Sequence, residues 1–358
     1  MARLGLGPGW TCAFANDFDP VKATAYRANF ADAAQHFHDG DVWALSVDDL
    51  PGQADLAWAS SPCQDFSLAG ARAGLAGGRS SAFFGFWRLI EALDNQARAP
   101  RCIVIENVTG LLTSNGGADF AALGGALAGR GYRFGALEID AASLLPQSRP
   151  RVFVVAARDA PPALCGESSF HTRAVQSAKA ALPSDIAASW VWWGLDAPPS
   201  RNTDLAAVLE PDSDVAWHNT AQTERLLALM NPLHRARLAL HRARAVGAVF
   251  RRTRVEQGRT VQRAEVRFDG LAGCLRTPRG GSSRQAIVVT GDGPTRSRLI
   301  TPREAARLMG LPETYHLPKT ATAALHLTGD GIAVPVVRWL SRALLEPLLR
   351  PAAAMAAE

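Results

Sequence analysis

The chain has 358 residues, 47% of them hydrophobic, and carries a formal net charge of +5. Such a length allows one large domain, or two, around a substantial core. No run of about 18 apolar residues occurs and no charged-then-apolar leader opens the sequence, so the reading is a soluble, intracellular protein, cytoplasmic rather than membrane-bound.

The positive charge is almost all arginine, since Lys22, Lys179 and Lys319 are the only lysines. A basic balance suits a polyanionic partner, but an Arg- and Ala-rich bias is also what a GC-rich genome produces, so position matters more than number. The cysteines (Cys12, Cys63, Cys102, Cys165, Cys274) are scattered singly. They form no Cys-x-x-Cys pair or Cys/His cluster that would suggest zinc, and their odd count argues against a disulfide framework. Each is by default a small buried hydrophobe until its context says otherwise.

Up to about Arg158 short apolar runs alternate with helix-compatible stretches. Strands are predicted at Thr11–Ala15, Ala54–Ala59, Cys102–Glu106, Arg133–Ile139 and Arg151–Ala157, with helices at Pro20–Phe30, Ala82–Ala97 and Ala118–Gly129. This alternation implies a doubly wound α/β sheet, whose chemistry collects in loops at the carboxyl ends of its strands. From Pro161-Pro162 the period is lost, through the cluster Trp190, Trp192, Trp193. Between His234 and Arg267 arginine recurs every three or four residues, opposed only by Glu256 and Glu265. Such a run is commonly a solvated helix face, but its density here favours a phosphate-facing surface. Order returns at Thr301, an N-cap with Glu304 at capping-box spacing, and Ile332–Leu349 reads as a final amphipathic helix.

Three short motifs carry chemistry. Pro62-Cys63-Gln64 follows the strand Ala54–Ala59 and runs into the Gly-rich stretch Gly70–Gly78. A cysteine there is more exposed than a core thiol, although the tripeptide alone would better suit a structural cysteine. Glu106-Asn107 ends the apolar strand Ile103–Ile105 and brings a carboxyl to the same rim. Gln147-Ser148-Arg149-Pro150-Arg151 sets two arginines at spacing two, able to hold a phosphate, a base carbonyl or a carboxylate.

In this order the three motifs resemble the catalytic motifs of the DNA cytosine-5 methyltransferases. The segments Arg298–Pro312 and Gly329–Pro335 resemble two further motifs of that family. The resemblance covers roughly Arg3–Arg158 and Gly270–Leu349. It implies the fold of an S-adenosylmethionine-dependent, Rossmann-like methyltransferase with a smaller, irregular target-recognition domain. The division expected is 1–158 catalytic and cofactor-binding, 159–268 target recognition, 269–350 a return segment and final helix, and 351–358 a disordered tail.

The resemblance also implies roles. Cys63 attacks C6 of a flipped cytosine, Glu106 contacts N3 and the exocyclic amine, Arg151 holds O2 and Arg149 supports the active-site loop. S-adenosylmethionine is the implied cofactor, with Asp17 on its ribose, Phe18 on its adenine, Asp41 and Val42 at the adenine edge, and Pro62 and Asp330 completing the site. Gln64, Ser67, Arg276, Arg279 and Arg284 are the implied DNA contacts, and no metal is implied. Double-stranded DNA is the expected partner of a monomer, beside a cognate restriction endonuclease or related defence system, with the protein on the nucleoid when bound.

Two departures stand out. The family opens with a strand and a Phe-x-Gly-x-Gly turn, whereas Met1–Leu6 resembles the helix that follows that turn, so a start about ten to twenty residues upstream is expected. Asp330 stands where the family pattern has asparagine. The alternatives are a DNA-binding homologue with impaired catalysis and a transfer-RNA cytosine-5 methyltransferase.

Overall fold

The computed structural model describes residues 1–61, 82–241, 243–277, 284–291 and 293–350. The predicted positions Pro62, Cys63, Gln64, Ser67, Gly70–Gly78 and Arg279 and the 351–358 tail lie outside the described residues.

In chain order come α1 (Ala2–Leu6), β1 (Ala15–Asp17), α2 (Pro20–Asn29), β2 (Phe37–Asp39) and β3 (Leu56–Ala59). They are followed by α3 (Ala82–Asn95), β4 (Cys102–Asn107), α4 (Ala118–Gly129), β5 (Arg133–Asp140) and β6 (Pro150–Ala157). Four strands form one sheet in the order β3–β4–β6–β5, parallel between β3 and β4 and antiparallel elsewhere. β4 is buried along its whole length because its sequence is apolar at successive positions and both faces of the sheet are covered. Cys102 and Val104 pack with Phe153 and Val155 on one face. Ile103 and Ile105 pack with Val152 and Val154 on the other. Each such side chain contributes about 1.5–3 kcal/mol by leaving water.

The first predicted strand is displaced. It spans Ala15–Asp17 rather than Thr11–Ala15, and its parallel partner β2 was not predicted. β2 has only three residues, two of them exposed, so it offers no period-2 pattern to read. The β1–β2 pair forms a sheet of its own beside the four-stranded one.

The segment after β6 packs on the sheet. Val191 N–H donates to Phe134 O at 2.7 Å, and Trp193 Nε1 donates to Val155 O at 3.0 Å. Gly135 permits this approach, since a Cβ there would lie 2.0 Å from Val191 O.

The arginine-rich stretch is a short helix, α5 (Pro232–Ala239), then a long hairpin of β7 (Ala245–Glu256) and β8 (Arg259–Arg267). From Ala245 on it is therefore a strand surface and not a solvated helix face, while Arg235 and Arg237 are exposed on the helix. Gln257 and Gly258 turn the hairpin with φ of 48° and 74°, the paired positive values of a tight two-residue turn. With β9 (Ala286–Gly291) and β10 (Gly293–Leu299) the hairpin makes an antiparallel sheet ordered β10–β9–β7–β8. The chain then returns through α6 (Pro302–Leu308), α7 (Ala321–Asp330) and α8 (Val334–Leu340). Thr301 and Glu304 form the predicted capping box. The predicted final helix is interrupted by a π-helical turn, Ser341–Leu345. Pro347 has no N–H to return to Ala343, and the wider turn absorbs the missing bond. Arg338 fastens α1 to α8 through Gly5 O and Leu4 O, both at 2.8 Å.

Candidate active site

Three strand ends meet at one rim. β3 and β4 run parallel with Ala59 opposite Ile105, so Ser60 and Ser61 emerge beside Glu106 and Asn107. β6 runs the other way, which brings its first residues, Pro150 and Arg151, to the same place. Asn107 Nδ2 donates to Ser61 O at 3.0 Å, tying the chain that leads towards Pro62 to the end of β4. The Ser60 hydroxyl lies near the Glu106 carboxyl and favours its charged form. Trp58 Nε1 holds that hydroxyl at 3.0 Å.

Glu106 is buried, and Arg151 Nε lies 3.2 Å from its Oε1. Burial pushes the Glu106 carboxyl above the usual carboxylate range, while Arg151, Ser60 and Arg149 oppose the shift. The result is a carboxyl that keeps its proton to higher pH yet sits against a guanidinium, a group able both to donate and to accept.

Arg149 is more deeply buried than Arg151 and does not face Glu106 in a contact pair. Its Nη1 donates to Leu275 O at 2.9 Å, and its Nη2 donates to Gly329 O at 2.8 Å and Gly331 O at 2.6 Å. Burial, then the neighbouring Arg151 charge, push the guanidinium down to about 10, so it stays charged near neutrality. Gln147 works alongside: its Nε2 donates to Leu308 O at 2.6 Å and its Oε1 accepts from Leu275 N–H at 3.1 Å. The Gln-x-Arg-x-Arg run thus divides its labour, with Arg151 at the carboxyl and Gln147 and Arg149 holding the return segment.

Of the predicted cofactor residues, Asp17, Phe18, Asp41 and Val42 lie in and just after β1 and β2. Asp17 ends that strand, and burial raises its carboxyl, countered by the Asp19 amide and the Lys22 charge. Phe18, next along, is 69% exposed, the most exposed phenylalanine described. Asp41 caps a short turn by accepting from Trp43 N–H at 3.0 Å, with Val42 behind it against Gly85. A flat apolar ring beside a partly buried carboxylate is an acceptor-and-stacking set that fits the adenosine half of a nucleoside cofactor. Asp330 meets this region from α7 through Lys22, which the sequence reading did not single out. Its signal was available: one of three lysines stands one turn into the helix after the acidic strand end.

Of the predicted DNA contacts, Arg276 is exposed. Arg284 is half-buried and donates to Ile300 O at 2.8 Å. A hollow of about 440 Å³ lined by Cys102, Ala157 and Arg158 lies at the opposite ends of β4 and β6, away from the Glu106 rim.

An α/β sheet with charged side chains convergent at one strand rim, and an acidic, aromatic strand end beside it, defines an enzyme that works on a substrate next to a nucleoside cofactor. The model of the C-5 cytosine-specific DNA methylase family matches residues 3–346, and the chain belongs to that family. Its members use S-adenosylmethionine as methyl donor, and DNA is their substrate. The chain is similar to the type II methyltransferase M.BsuFI of Bacillus subtilis, 25% identical over 97% of this chain and 70% of that protein. It is similar to M.HhaI of Haemophilus parahaemolyticus, 22% identical over 95% and 89%. Among solved structures, the S. pombe Dnmt2 methyltransferase shares the fold with a TM-score of 0.58 at 18% identity, over 97% of this chain and 94% of that one. A putative DNA modification methyltransferase from an E. coli prophage does so at 0.53 and 17%, over 98% and 95%. Among the described residues no helix is long and apolar enough to cross a membrane.

Proposed function

We propose that this chain methylates C5 of a flipped cytosine in double-stranded DNA through a covalent bond from Cys63 to C6. The observation that carries the reading is the buried Glu106–Arg151 pair, at the rim where the chain leaves β3 towards Cys63. Attack by the Cys63 thiolate on C6 breaks the aromaticity of the ring and makes C5 nucleophilic. Burial raises the Glu106 carboxyl above its ordinary range, which favours a proton on it for donation to N3 as electron density moves onto the ring. Arg151 holds O2, and Arg149 keeps the wall of the pocket in place. S-adenosylmethionine supplies the methyl group when bound, with Asp17, Phe18, Asp41 and Val42 on its adenosine side and Pro62 and Asp330 completing its site. Water then takes the C5 proton, the freed electron pair re-forms the C5=C6 bond and expels Cys63 as thiolate, and the N3 proton returns to Glu106.

The base must leave the duplex to meet these groups, so Gln64, Ser67, Arg276, Arg279 and Arg284 are assigned to the DNA around it. Residues 159–268 supply target recognition, with the hairpin arginines facing phosphate. Likeness to type II enzymes supports a role beside a cognate restriction endonuclease, and we read the chain as a monomer acting on the nucleoid. Bisulfite sequencing of DNA from cells expressing the gene tests this directly. The expected result is 5-methylcytosine at one short sequence, abolished by Cys63→Ala, a drop of more than about 10³-fold. Methylation that survives Cys63→Ala overturns the covalent route, and label transferred from S-adenosylmethionine to RNA and not to DNA overturns the substrate.

A further inference from the structure

Lys22 projects from the first turn of α2, just past the acidic end of β1, and its Nζ lies 2.9 Å from the Asp330 carboxylate at the end of α7. The other Asp330 oxygen accepts a hydrogen bond from the Thr277 hydroxyl. A carboxylate can take both donors at once, one on each oxygen; the asparagine of the family pattern offers a single acceptor oxygen and no charge to Lys22. The Lys22 charge also lowers the Asp17 carboxyl without a contact, while its ion pair is made to Asp330.

Asp330 stands between two residues that matter elsewhere. The carbonyls of Gly329 and Gly331 are the acceptors of Arg149 Nη2. A Cβ at Gly329 would lie 2.7 Å from the Arg276 carbonyl carbon and from Thr277 N, so the end of α7 and the return segment touch backbone to backbone. Leu275, two residues before Thr277, holds the other arm of Arg149. Arg149 is buried, so water cannot replace these acceptors if the Gly329–Gly331 turn shifts; the guanidinium must follow it or lose charge-assisted bonds.

We propose that Lys22, Asp330 and Thr277 form a clasp that positions the adenosine side of the cofactor site and couples its occupancy to the Arg149–Arg151–Glu106 pocket. Lys22 and Thr277 are positioning residues that hold Asp330, and the proposal rests on the reading of Asp17 and Asp330 as cofactor ligands. A merely structural ion pair this exposed, 24% for Lys22 and 38% for Asp330, contributes little to stability. Melting is therefore expected to stay unchanged in either role, and cofactor affinity with its response to DNA separates them.

The test uses the full chain with Lys22→Met, Asp330→Asn and the double variant. S-adenosylmethionine binding is titrated with and without unmethylated plasmid DNA, methyl transfer is followed at steady state, and melting is recorded. In the wild type, DNA is expected to tighten cofactor binding about fivefold, a usual size for coupled sites. Each single variant raises Kd and KM for S-adenosylmethionine about fivefold, melts as the wild type does and loses the effect of DNA, and Lys22→Met, which lies outside the assigned cofactor ligands, keeps kcat within about twofold. The double variant is no worse than either single one, because both break the same contact. Wild-type affinity in the variants, or additive losses in the double variant, overturns the clasp while leaving the enzyme reading intact. Absence of cofactor binding and transfer in the wild type overturns the enzyme reading, and the clasp falls with it.

Discussion

The rim of the four-stranded sheet and the β7–β8 hairpin use charge in opposite ways. At the rim the charges are few and buried, and each faces a chosen partner: Glu106 meets Arg151, and Arg149 meets three carbonyls. Along the outer half of the hairpin they are many and exposed, from Arg251 to Glu256 without a buried position. The register puts Arg252, Arg254, Arg259 and Arg263 on one face with Glu256 and Glu265. Arg252 stands directly opposite Arg263, a like-charge pairing that costs stability, and the two glutamates offset it by bridging Arg252, Arg254 and Arg263. Buried charge shifts the chemistry of a single group, whereas exposed charge sums into a field that suits a polyanion.

The comparison breaks most sharply at Glu106. Glu106→Ala is expected to reduce methyl transfer by about 10²–10⁴-fold, the range for a lost general acid. The folded carboxyl titrates above its ordinary value, so its proton is present at low pH and lost as pH rises through the raised value. The rate should therefore fall on the alkaline side in the wild type, and Glu106→Gln, which cannot lose that proton, should flatten this fall. An unchanged pH profile in the glutamine variant would remove Glu106 from the proton's path.

The join between the two regions gives the next largest effect. Arg298 at the end of β10 is buried against Glu304 of α6, with Nη1 at 2.8 Å and Nη2 at 2.6 Å from its two oxygens. Glu304 also accepts from the Thr301 and Glu210 amides, each at 2.9 Å. Against the upward push of burial, Arg298 and these amides hold its carboxyl below the ordinary range. The lowered value means its contribution is present at neutral pH and lost as pH falls through the folded value. Arg298→Met leaves that carboxylate buried without its partner and should destabilise the chain by about 3–5 kcal/mol in urea unfolding. A loss under about 1 kcal/mol would show the pair to be dispensable.

The smallest effect belongs to the hairpin, where no single arginine is special. Arg252→Ala with Arg259→Ala should weaken binding to any duplex and reduce the slope of log affinity against log salt by about 1.8, at roughly 0.9 per phosphate contact. Melting should hardly change. A salt slope equal to that of the wild type would place the DNA elsewhere.

The sequence alone determined the family motifs and the elements that are local. Pro62-Cys63-Gln64, Glu106-Asn107 and Gln147–Arg151 are contiguous motifs, and β4 is legible because an apolar run of that length is buried whatever surrounds it. The capping box at Thr301 was readable for the same reason, since its two partners are three residues apart. What the tertiary structure decided are the pairings across long separations. Asp330 meets Lys22 across more than three hundred residues, Arg149 chooses carbonyls and not a phosphate, β2 exists only as the partner of β1, and the arginine run becomes a hairpin. None of these follows from periodicity or spacing, because each depends on which distant group arrives to satisfy a charge, a donor or a strand edge.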